Sequence, residues 1–312
     1  MHINFETRNV FLLMFLGTLF VNAQMPRSWE NLSRLAEERE EADDLPGAES
    51  LRREALRRAE DQLGPNDKQV APLLANLAQS LHFEGHDWDA EPLARRAFSI
   101  AQESGDQKLM GMTLNTLGVV LSGEGERARA EPLLRRSIAL LEQSEGADSL
   151  DVGKAANNLA TLYSDTQRYA KARQEMARAL PIYEKYFGPD HPVVASVLGN
   201  LFIILSQQHR TAEGEPYLRR ALAIGEKMFP QSLKMADLQL CLAALETTHG
   251  NFQESARILQ KVIAIQEQRL GPEHPRLAHT LVSYSYVLRR LHQKNAAEQA
   301  QNRASVILRS LR

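Results

Sequence analysis

The chain has 312 residues, 43% hydrophobic and 24% charged, and its 37 basic and 39 acidic side chains leave a net charge of −2. So even a balance, with aromatics at only 6%, supplies neither the basic field nor the stacking surface that a nucleic acid partner needs. A single cysteine, Cys241, excludes an internal disulfide and a cysteine-rich metal site.

The N-terminal 23 residues differ from all that follows. Arg8 precedes an apolar run from Val10 to Val21, shorter than the roughly 20 helical residues needed to cross a bilayer. Small or branched residues at Val21 and Ala23 precede Gln24. This tripartite pattern predicts a signal peptide over 1–23 and cleavage before Gln24. The expected destination is periplasmic or secreted, with no stable membrane insertion afterwards. An uncleaved segment that tethers the chain to a membrane is the alternative.

From residue 24 onward the chain repeats itself. "AEPLARRAF" from Ala90 returns as "AEPLLRRSI" from Ala130 and "GEPYLRRAL" from Gly214, with weaker copies from Ala48, Ala172, Ser255 and Ala297. Successive anchors lie 42, 40, 42, 42, 41 and 42 residues apart. Upstream of each anchor a large apolar residue precedes a mostly small one, as in Leu77–Ala78, Leu117–Gly118 and Leu159–Ala160. Small residues at fixed points let helices approach closely, and apolar residues recur at helical steps within each unit. Each unit therefore reads as helix A, a short turn and helix B. The prediction is an all-α solenoid over 24–312, with units near 25–63, 64–104, 105–145, 146–187, 188–229, 230–270 and 271–312.

A punctuation mark keeps the same interval: Gly64, Gly105, Gly146, Gly188, Pro230 and Gly271. In "GPDHPVV" and "GPEHPRL" an acid stands beside a histidine, which suggests a catalytic loop, but units without the histidine keep the mark. A glycine in the left-handed C′ position would end helix B. Asp190 or His191 would cap the next helix A, with Pro192 in its first turn. No nucleophile elbow, phosphate-binding loop or zinc-protease motif occurs. No catalytic residue, metal site or cofactor is therefore expected. His82 and His86 have a metal-like spacing but no third ligand, and the paired arginines 52–53, 95–96, 135–136 and 219–220 are expected on solvated faces.

The leucine–small pair, the following small anchor and the further small residue seven positions on resemble the tetratricopeptide repeat. The lengthened unit with "AEPLxRRAL" and "GPDHP" is similar to the kinesin light chain type. An aromatic expected three residues before the anchor matches only at Tyr169 and Phe252. The resemblance implies a right-handed superhelix of about seven antiparallel helix pairs, whose A helices line a concave peptide-binding groove. Groove positions fall on Asn76, Asn115, Val119, Lys154, Asn157, Asn158, Thr161, Asn200, Ile203 and Tyr286. Asparagine both donates and accepts, so such a row suits an extended peptide main chain, unless the amides satisfy neighbouring repeats instead. The lysine–asparagine register of a carboxylate clamp is absent. The implied function is a non-catalytic scaffold for a protein or peptide partner. The alternatives are a self-assembling module, forming a homo-oligomer through Tyr286, Val287 and 306–311, or a non-catalytic subunit of an exported enzyme complex.

Overall fold

The computed structural model describes residues 28–41 and 44–309, so residues 1–23, the expected signal peptide, lie outside it. Among the described residues every regular element is an α-helix. They pair as α1 (Trp29–Glu41) with α2 (Leu45–Leu63), α3 (Val70–Phe83) with α4 (Asp87–Ser104), and α5 (Gln107–Gly123) with α6 (Arg127–Glu145). Then come α7 (Leu150–Asp165) with α8 (Tyr169–Phe187), and α9 (Pro192–Gln207) with α10 (Thr211–Met228). The last pairs are α11 (Leu233–Thr248) with α12 (Phe252–Leu270), and α13 (Pro275–Arg290) with α14 (Lys294–Arg309). Each pair packs on the next, and the core runs along the stack rather than around a centre.

Small residues set the spacing inside each pair. A Cβ on Gly118 would come 2.7 Å from Leu134 Cγ, so α5 and α6 touch through that glycine. Unit five inverts the sizes. Phe202 takes the small position, and the anchor opposite it shrinks to Gly214, where an added Cβ would meet the Phe202 ring at 3.1 Å. Volume is conserved across the contact, the substitution that packed cores tolerate best. Three buried serines at these positions donate across their helix pairs: Ser137 Oγ to Gly111 O at 2.6 Å, Ser255 Oγ to Ala243 O at 2.8 Å and Ser285 Oγ to Ala297 O at 2.9 Å. Each hydroxyl is thereby satisfied without water.

The convex side carries a repeated charged clamp. Arg96 donates to Glu60 Oε1 at 2.5 Å and to the Pro65 carbonyl at 2.6 Å. Arg220 does the same with Glu184 at 2.6 Å and Pro189 O at 2.7 Å. Arg303 grips Glu267 and Pro272 O, and Arg178 grips Glu142 and Ala147 O. In each case the arginine ties helix B of one unit to helix B and the following turn of the unit before. The expectation of purely solvated arginine pairs therefore needs correcting. At 95–96, 135–136 and 219–220 the first arginine pairs with a glutamate four residues back on its own helix, Arg95 with Glu91, Arg135 with Glu131 and Arg219 with Glu215. At 52–53 it is instead Arg53 that pairs with Glu49, and Arg52 that reaches Glu40 and Ser80 on neighbouring helices. The second, at Arg96 and Arg220, joins repeats. The planar fork of guanidinium suits this double grip on a carboxylate and a carbonyl.

The repeated punctuation also differs in detail from expectation. Gly105 is left-handed at φ 68°, ψ 6°. Gly64, Gly146, Gly188 and Gly271 instead hold φ between 86° and 92° with ψ between 152° and 165°. That extended, positive-φ region is essentially closed to residues with a Cβ. Unit five has no such glycine: Phe229 ends α10 at φ −153°. Gly188→Ala is expected to destabilise the fold by about 1–3 kcal/mol even though open space surrounds the missing Cβ. Thermal and urea unfolding followed by circular dichroism would measure it, and an unchanged midpoint would refute the strain.

Candidate peptide-binding groove

The histidines of the repeated turns are caps. His191 and His274 each stand just before a helix-opening proline, and Nδ1 accepts the backbone N–H of Val193 or Arg276 at 3.2 Å. The acid beside each histidine is not the cap. Where the histidine is missing, Ser149 and Ser232 accept from Val152 N and Met235 N instead. Burial, aided by the Arg276 charge, lowers the pKa of His274. An imidazole held neutral in the folded state contributes full stability above its unfolded pKa near 6.5 and loses it as pH falls below that value. The thermal midpoint should therefore drop from pH 8 to pH 5 more steeply in wild type than in His274→Asn, whose amide caps without titrating. Parallel profiles would contradict the cap.

His82 faces Asp87 across a turn, with Nδ1 2.5 Å from Oδ1, and His86 precedes α4. Cys241 packs against the core. Burial, with the Asp237 charge second, pushes its thiol up to about 12, so it is protonated and unreactive near neutral pH.

The predicted groove residues occupy α3, α5, α7, α9 and α13. Asn115, Asn157, Asn158 and Asn200 are half-buried and bonded to one another. Asn200 Nδ2 donates to Asn157 Oδ1 at 3.4 Å, Asn157 Nδ2 to Asn158 Oδ1 at 3.5 Å, and Asn158 Nδ2 to Asn115 Oδ1 at 3.1 Å. The result is a ladder across three repeats, all of its bonds running in one direction. It leaves an amide hydrogen-bonding end at Asn115 and an oxygen end at Asn200. Thr161 Oγ1 donates to the Asn157 carbonyl at 3.1 Å, so its methyl group faces outward. Lys154 is held by Asp151 at 3.1 Å, which neutralises the one cation predicted there. Val119 packs partly on the core, whereas Ile203 and Tyr286 are exposed. Asn76 is exposed beside α1 and stands outside the ladder.

Near the C-terminal end the A helices part around an apolar cavity of about 590 Å³. Its wall includes Ala243, Ala244 and Thr247 of α11, Leu259 and Gln266 of α12, and Tyr286 of α13. Sequence reasoning missed Gln266. Its signal was a polar residue in the apolar stripe Leu259, Val262, Gln266 of α12, where a leucine would ordinarily stand.

The tetratricopeptide repeat family model matches this sequence over residues 109–185, 151–227 and 234–310, more than half of its length. The chain belongs to the tetratricopeptide repeat family. No curated protein matches it in sequence. Among solved structures, BtubC (BKLC) from P. vanneervenii aligns at 20% identity and TM-score 0.56, over 76% of this chain and 92% of its own. A kinesin light chain-type protein of Podosopora anserina with nearly identical TPR-like repeats aligns at 18% identity and TM-score 0.52, over 65% and 97%. The Rap conjugation gene regulator of plasmid pLS20, in complex with the Phr* peptide, aligns at 12% identity and TM-score 0.71, over 90% and 74%. At these identities the likeness is one of fold.

Proposed function

We propose that this tetratricopeptide protein is a non-catalytic scaffold whose concave wall holds an extended segment of a partner protein. The observation that carries the reading is the asparagine ladder. A row of carboxamides, fixed in orientation by one another, retains donor and acceptor capacity without net charge. Such a surface fits a peptide main chain whatever its sequence, at about 1 kcal/mol for each bond made. The Rap regulator of similar fold was solved with a peptide, which supports the same reading. The one-way direction of the ladder gives the bound segment a preferred polarity.

The partner is a neutral or mixed-charge segment, because Lys154 is already paired and the groove lacks a cationic clamp. In an immobilised peptide library, wild type should retain a set of sequences that Asn115→Ala/Asn157→Ala/Asn158→Ala/Asn200→Ala loses. Circular dichroism checks that the variant remains helical. An unchanged set would overturn the groove reading.

The scaffold acts after export. The support is the N-terminal pattern of Arg8, the apolar run and Val-Asn-Ala before Gln24. N-terminal sequencing of protein recovered from the exported fraction is expected to begin at Gln24. Recovery of the whole chain from the cytosol alone would refute export.

A further inference from the structure

Most of the polar residues that line the cavity between α11, α12 and α13 have their polar groups engaged. Thr280 Oγ1 bonds the Arg276 carbonyl at 3.3 Å, and Ser283 Oγ bonds the His279 carbonyl at 3.3 Å. Thr247 Oγ1 is spent on Ala243 O and Ser255 Oγ, both at 2.8 Å. Arg276 is paired with Asp237. These side chains turn hydrocarbon toward the space, beside Leu240, Ala244, Leu259 and Val287. The exposed His279 also lines the space, and Gln266 is the buried exception. It is 1% exposed, lines the cavity, and its Oε1 is buried with no hydrogen-bond partner. An unsatisfied buried carboxamide oxygen costs about 1–3 kcal/mol, so the site is built to receive a donor.

The mouth opens on the concave wall. Ala244 and Tyr286 hold the same repeat position as Val119 and Ile203, and Ala244, Val282, Ser283 and Tyr286 are all exposed. A segment lying along the groove therefore passes over the opening. The occupant must be apolar, fit within about 590 Å³, and carry a donor. Indole meets these conditions, since its N–H donates and the ring accepts nothing.

We infer that the cavity of α11, α12 and α13 is an anchor pocket for a tryptophan side chain of the bound partner segment, with the indole N–H donated to Gln266 Oε1. This assignment rests on the concave wall being a peptide groove, and it adds a sequence requirement that the asparagine ladder does not impose.

Ligand-observed NMR with the whole protein tests it, using acetyl-Ala-Ala-Trp-Ala-Ala-amide and the peptide with Phe in place of Trp. The Trp peptide should bind about fivefold more tightly, the factor one neutral hydrogen bond supplies. Gln266→Met keeps the volume and removes the acceptor. It should fold at least as stably as wild type and abolish the preference. Ala244→Trp fills the mouth and should remove binding of both peptides. A preference that survives Gln266→Met, or no binding of the Trp peptide, overturns the assignment. So does free indole binding where the peptide does not, which would mark a small-molecule site. Concentration-dependent self-association that blocks the peptide and disappears in Trp88→Ala would make the occupant a second copy, and also overturns it. The two readings fail separately. An unchanged library set with retained Trp-peptide binding removes the asparagine ladder as the contact and leaves the pocket on the concave wall, whereas an altered set without Trp-peptide binding removes the pocket alone.

Discussion

Every helix pair in this chain has an apolar face that it cannot cover by itself. Helix A buries one side on its own helix B and the other on helix B of the pair before, so residues such as Leu74, Leu114, Leu159 and Leu198 are wholly enclosed only because a neighbour stands there. Stability in such an array is a sum of weak units and the interfaces between them. The glycine turns, the small anchors and the charged clamps all serve that requirement. They place the next pair at the correct distance and angle, and the stack repeats the operation.

Two polar devices then act on opposite surfaces. On the convex side, guanidinium forks join helix B of successive units and also hold the turn that follows the glycine. On the concave side, carboxamides join helix A of units three, four and five. The first device is charged and partly solvated, and ion pairs of that exposure contribute little each, so its value lies in fixing geometry. The second is neutral and half-buried, and it leaves hydrogen-bonding capacity on the surface that a partner would meet. This division separates what holds the solenoid from what it offers.

Much of the fold was legible because it is periodic. The interval between anchors located the helices, and the leucine–small pair located their contacts. What the interval did not show was side-chain chemistry at one remove. Nothing local in "GPDHP" distinguishes Asp190 from His191 as the cap, since either reaches a backbone N–H. The choice depends on where the helix starts, at Pro192. The arginine clamps were hidden because Glu60 and Arg96 belong to different units and meet only once the stack is built. The asparagines were visible as a row, but their mutual bonding depends on the offset between neighbouring A helices. Gln266 was masked by the same periodicity, because one polar residue in an apolar stripe resembles noise until a cavity is found beside it.

The ladder ends at Asn200, whereas the clamps continue as far as Arg303 and Glu267. Units three to five are thus tied on both surfaces, whereas across the inner side the last two are joined beside the cavity by the exposed Arg276–Asp237 ion pair rather than by carboxamides. A coil built in this way has unequal stiffness along its length. Compared with the middle, the C-terminal end is less firmly held inside, since opening its inner side breaks an exposed ion pair and no carboxamide bond. On the proposed reading, a segment held in the groove would tighten the superhelix at that end while its middle keeps its shape.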